Sequence, residues 1–88
     1  MEEIYKKVLE HANIDIGEEG PVKVADLIDF LNSKTELVFP KNSIAIYTII
    51  RHAYNFYMSQ KLIKEAEKIV KIYRPEGYVW KVLNKYKK

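Results

Sequence analysis

The stretch Lys68-Ile69-Val70-Lys71-Ile72-Tyr73-Arg74-Pro75-Glu76-Gly77-Tyr78-Val79-Trp80-Lys81-Val82 decides how the rest of this chain is read. β-Branched and aromatic residues fill both of its arms. Pro75 fixes φ for the second position of a turn, and Gly77 supplies the left-handed residue that closes one. The segment therefore predicts a β-hairpin over 68–82, with Lys71, Tyr73 and Arg74 on its first arm and at its bend.

Working back from the hairpin, residues 43–60 predict a helix, capped by Asn42 or Ser43, either of which can accept bonds from free backbone N–H groups. At 100° per residue, Ile46, Ile49, Ile50, Ala53, Phe56 and Tyr57 gather on one side. Ile44, Thr48, Arg51, His52, Asn55 and Ser59 fall on the other. The chemistry of this second side suits a groove of duplex DNA: Arg pairs with guanine O6 and N7, Asn pairs with adenine, and Thr meets a thymine methyl. No Asp or Glu interrupts the 24 residues from Lys41 to Lys64.

Further upstream, Ile4, Tyr5, Val8, Leu9 and Ala12 make an apolar stripe that predicts a helix over 2–12, with Glu2 and Glu3 where the helix dipole favours negative charge. Gly17 and Gly20 mark 13–20 as a loop. Pro21-Val22-Lys23-Val24 reads as a short edge strand, since Pro is tolerated at a strand's start. A second helix over 25–33 buries Leu27, Ile28 and Leu31. Leu37, Val38 and Phe39 are apolar, but Pro40 disfavours helix at Phe39, so 35–41 reads as a connection tucked into the core.

Composition limits the classes open to the chain. Eighty-eight residues without cysteine make one domain with no disulfide framework and no thiolate metal site. No apolar run approaches the length that crosses a bilayer, and Met1-Glu2-Glu3 is acidic where a signal peptide is basic, so the expected location is cytoplasmic. Abundant Lys, Glu, Ile and Tyr with scarce Gln and Met lean towards a thermophile. His11, at a helix end, and His52, on a surface, have no acid or cysteine partner motif. There is no glycine-rich phosphate loop and no metalloprotease spacing, so neither an enzyme nor a metal site is expected. The net charge of +3 hides a division: residues 1–40 carry four lysines against nine acids, net −5, and residues 41–88 carry eleven Lys or Arg against three acids, net +8. A polyanion is drawn to the second half.

Helix, short strand, helix, connection, helix, hairpin is an order that resembles the winged helix-turn-helix domain of small archaeal transcription regulators. Gln60-Lys61-Leu62-Ile63-Lys64-Glu65 looks like the end of that family's recognition helix, and 70–80 looks like its wing. The resemblance implies an α+β, mostly helical fold, three helices with a C-terminal β-hairpin wing, as a single domain over 1–88 with 83–88 a mobile basic tail. It implies sequence-specific binding of double-stranded DNA by a transcriptional regulator, the 43–60 helix in the major groove and the 68–82 hairpin as wing. Base contacts then come from Thr48, Arg51, His52 and Asn55, and phosphate contacts from Lys41, Asn42, Ser43, Lys71, Tyr73 and Arg74. A homodimer reading a palindrome is expected, with no cofactor, small-molecule ligand or membrane. The alternative is a protein–protein adaptor in a transcription or replication assembly, anchored by Tyr47, Tyr54, Tyr73, Tyr78 and Trp80. Single-strand or RNA binding through the tyrosines is a third reading.

Overall fold

Helical periodicity, not alternation, governs residues 63–73. Ala66, Ile69, Val70 and Tyr73 recur at i, i+3, i+4 and i+7, and the intervening Lys64, Glu65, Glu67 and Lys68 are good helix formers. The computed structural model describes residues 2–74. Within them lie four helices, α1 (Glu2–Ala12), α2 (Pro21–Lys34), α3 (Ile44–Ser59) and α4 (Ile63–Tyr73), and no strand. This overturns the α+β winged helix-turn-helix expected from the sequence. The first arm of the expected wing, 68–73, is the C-terminal part of α4. The bend at 75–77, the second arm at 78–82 and the basic tail at 83–88 lie outside the described residues.

The strand reading gave weight to β-branched residues, whose preference depends on context and spans only about 1 kcal/mol. Helical spacing gains more. It places Ala66, Ile69 and Tyr73 together on one side of α4, each 1% exposed or less. At the end of α4, Arg74 takes a left-handed conformation (φ 47°, ψ 54°) and its N–H donates to the Val70 carbonyl; the residue after it in sequence is Pro75, which has no N–H with which to continue a helix.

The expected edge strand at 21–24 is also helix, the first turn of α2. Pro21 is at home there, because its fixed φ is helical and its missing N–H is one that no helix satisfies internally. Gly20, at φ 72° and ψ −139°, occupies a region that side chains avoid. Its N–H donates to the Ile72 carbonyl at 2.9 Å, fastening the start of α2 to the end of α4. The expected helices over 2–12 and 43–60 agree closely with α1 and α3, and the one over 25–33 falls inside α2.

Residues 35–43 are held by a two-point clamp. Asn32 donates from Nδ2 to the Phe39 carbonyl at 3.0 Å and accepts the Phe39 N–H at 2.8 Å. Phe39 is thereby pressed against the core, but Leu37 (39% exposed) and Val38 (86% exposed) face outward, so the expected tucking of 35–41 holds for Phe39 and not for its two apolar neighbours. Asn42 then turns through φ 66°, and Ser43 caps α3 by accepting the Ala45 N–H at 3.1 Å.

The interior is built from Val8 and Ala12 of α1, Val24, Leu27, Ile28 and Leu31 of α2, Ile46, Ile49, Ile50, Ala53 and Tyr57 of α3, and the buried side of α4. Each fully buried aliphatic side chain contributes about 1.5–3 kcal/mol relative to exposure. α1 and α4 each pack on all three other helices, whereas α2 and α3 barely meet. A helix-turn-helix needs its two helices joined across a short turn; here 35–43 separates them. Tyr57 ties α3 to α1 by donating to the Tyr5 carbonyl at 3.2 Å, and Phe56 sits between the Tyr5 and Tyr57 rings at 5.3 and 5.1 Å.

Candidate nucleic-acid interface

α3 turns its Ile46–Ile49–Ile50–Ala53–Tyr57 side inward, so Thr48, Arg51, His52 and Asn55 share the opposite arc with Ile44, Met58 and Ser59. His52 is exposed, and Thr48, Arg51 and Asn55 are half-buried. The Thr48 hydroxyl donates back to the Ile44 carbonyl at 3.2 Å. The Arg51 guanidinium lies 5.7 Å from the centre of the Tyr54 ring, within cation–π range. The four residues assigned to base contact are thus on one face of one helix.

The expected phosphate contacts divide. Ser43 spends its side chain on the helix cap and Asn42 forms the corner before it. Lys41 reaches back to Asp29 of α2 at 3.1 Å, and Arg74 reaches Glu19 at 2.6 Å. Both pairs are exposed, and such pairs are worth about 0–1 kcal/mol, so an arriving phosphate displaces the carboxylates at little cost. Lys71 is exposed. Tyr73 is turned inward, 1% exposed, which removes it from the surface that phosphate can reach. A helical residue four positions from Ile69 has to share its buried side.

Once 63–73 is seen as a helix, two cations missed by the sequence reading come forward. Lys64, Lys68 and Lys71 stand at i, i+4 and i+7, on the side of α4 opposite Ala66, Ile69 and Tyr73. All three are exposed, and none is in an ion pair among the described residues. With Glu19, Glu67 and Ile72 they line an open groove of about 590 Å³. The row is about 10 Å long at 1.5 Å per residue, close to three base-pair rises of roughly 3.4 Å. Their i, i+4, i+7 spacing was visible in the sequence, but a strand reading scatters it over two faces.

A second hollow, about 670 Å³, lies between the 13–20 loop and α4. It mixes Lys23, Lys68 and Arg74 with Asp15, Glu18 and Glu19, and this balance gives an anion no preference for it. Lys23 is 1% exposed and donates to the Ile14 carbonyl. Burial pushes its pKa down, partly offset by Asp26 and Asp15 and reinforced by Lys68.

His11, read as a helix-end residue, ends α1 and is also wholly buried. Its Nε2 lies 2.7 Å from Asp26 Oδ2, and its Nδ1 lies 2.7 Å from Tyr73 Oη. The acid partner lies fifteen residues away and the tyrosine sixty-two, separations that no local motif discloses. Burial lowers the His11 pKa; the hydrogen bond to Asp26 opposes this, the charge of Lys23 adds to it, and the charge of Asp26 opposes it again. Burial also pushes the Tyr73 hydroxyl far above the ordinary tyrosine range, and the Asp26 charge acts in the same direction.

Of the aromatic anchors expected for an adaptor, Tyr47 and Tyr54 pack against the core and Tyr73 is inside it; Tyr78 and Trp80 lie outside the described residues. Among the described residues no helix is long and apolar enough to cross a membrane, and no three His, Cys, Asp or Glu side chains converge as a metal site. Comparison with protein-family models, curated proteins and solved structures returned no match.

Proposed function

We propose that this protein binds double-stranded DNA, its affinity supplied by the lysine row of α4 and its selectivity by the outer face of α3. The observation that carries the reading is the row itself: Lys64, Lys68 and Lys71 are exposed, aligned and without an ion-pair partner among the described residues. Releasing counterions from DNA rewards such an array. The acid-free α3 then brings His52, Asn55, Thr48 and Arg51, side chains that hydrogen-bond base edges or meet a thymine methyl. Transcriptional regulation is the role proposed for such a binder.

Salt titration with a labelled duplex tests this. Each phosphate contact contributes about −0.9 to the slope of log affinity against log salt, so replacing Lys64, Lys68 and Lys71 together with Gln flattens the slope by about 2.7. His52→Ala and Asn55→Ala lower discrimination between duplexes with smaller effects on the slope. A triple variant that binds as the parent does, with the same slope, sinks the reading. Light scattering of the complex, at 10.4 kDa per chain, shows whether one copy or a homodimer is bound.

A further inference from the structure

The junction of α1, α2 and α4 offers one hydroxyl hydrogen to two acceptors. Tyr73 Oη is 2.7 Å from His11 Nδ1 and 3.1 Å from the Val8 carbonyl oxygen, yet it carries a single hydrogen. On the far side of the ring, Nε2 faces the Asp26 carboxylate at 2.7 Å. A carboxylate only accepts, so Nε2 bears a hydrogen in every state. With the ring neutral, Nδ1 is a lone pair and takes the Tyr73 hydrogen. With the ring charged, Nδ1–H donates to Tyr73 Oη, and the hydroxyl turns to donate to Val8. Neither state leaves a ring nitrogen unpaired, although His11 is 0% exposed.

We propose that Asp26, His11 and Tyr73 form a two-state proton latch: one proton bound at Nδ1 swings the Tyr73 hydroxyl from Nδ1 to the Val8 carbonyl, and the three helices stay joined in both states. The proton comes from solvent. One N–H bond forms at Nδ1 as one O–H bond of a solvent hydronium breaks and leaves water, and the Tyr73 hydroxyl keeps its own O–H bond and only rotates about its C–O bond. The positive charge that results lies against the Asp26 carboxylate.

The surroundings limit what else can influence the ring. From α2 come Asp26, the Lys23 ammonium and the Phe30 ring, its centre 5.1 Å away. From α4 comes Tyr73, stacked at 5.8 Å and 10°. On α1 the preceding turn carries Lys7 and Glu10, paired with each other at 3.6 Å. From α3, the Tyr57 hydroxyl ends on the Tyr5 carbonyl, nearly two helical turns before His11. Lys23 alone opposes the charged ring by repulsion, and Asp26 favours it.

Linkage gives the sign. The folded pKa of His11 lies below that of the unfolded chain, so its contribution to stability is complete above about pH 6.5 and declines as pH falls below that value. The decline stops at the pH where folded His11 takes up its proton. A buried histidine without a second set of partners shows no such levelling, and stability falls until the fold is lost.

Nitrogen NMR of the imidazole rings in the ¹⁵N-labelled full chain, from about pH 7 to about pH 4, tests the latch, with urea unfolding in parallel. The expected result is His11 protonated only at Nε2 near neutral pH, titrating reversibly below the ordinary histidine value of about 6.5 in a folded protein, with stability levelling where it titrates. Tyr73→Phe removes the acceptor of the charged form, and proton affinity at His11 falls tenfold or more, because an unpaired charged donor costs more than an unpaired lone pair. A His11 that stays unprotonated until the protein unfolds, or one that carries its hydrogen on Nδ1 near neutral pH, overturns the proposal. So does an unchanged titration in Tyr73→Phe. Should that variant not fold, the wild-type titration and its stability profile decide the matter alone.

Discussion

The two sides of α4 obey opposite rules. On the inner side, Tyr73 ends a helix with its polar group fully engaged: its ring lies against His11 and its hydroxyl reaches α1 at two points. On the outer side, within the same turns, Lys64, Lys68 and Lys71 have no ion-pair partner among the described residues. The contrast follows from solvent. A buried polar group without a partner costs about 1–3 kcal/mol, whereas an exposed ammonium is satisfied by water. The inner groups are thus committed to the fold, and the outer ones are available to a ligand.

Mutations arranged by size test that contrast. Ile69→Ala, at a position 0% exposed, is expected to cost about 2–5 kcal/mol in urea unfolding at neutral pH, because it leaves a cavity where α4 packs on its neighbours. Tyr73→Phe keeps the ring and deletes only the hydroxyl, and the expected loss is about 1–3 kcal/mol in the same assay. Ser43→Ala removes the cap of α3 and costs about 1 kcal/mol, with the thermal midpoint falling accordingly. Lys68→Ala changes stability by less than about 0.5 kcal/mol while weakening duplex binding. If Lys68→Ala and Tyr73→Phe destabilise equally, the division between the two sides of α4 fails.

Much of this arrangement could be read from the chain. α1 and α3 were legible because their apolar residues recur at helical spacing over several turns and their starts carry acids or a cap. α4 was not, because Ile69, Val70 and Ile72 satisfy strand composition and helix spacing at once, and Pro75 and Gly77 nearby gave the strand reading a ready turn. What decides between them is the burial of Ala66 and Ile69 against α1 and α3, a tertiary effect that a propensity scale does not contain. The outer face of α3 followed from its own periodicity. The lysine row was lost with α4, and the His11–Asp26–Tyr73 junction was beyond reach because its members come from three helices far apart in sequence.

Lys23 gives the protein an internal gauge of its own integrity. Sealed between the 13–20 loop and α4, at 1% exposure, its amine is hidden from a reagent that labels the outward lysines freely. Modification of this site under native conditions therefore counts how often that loop lifts, a measure of local opening that needs no mutation and no denaturant.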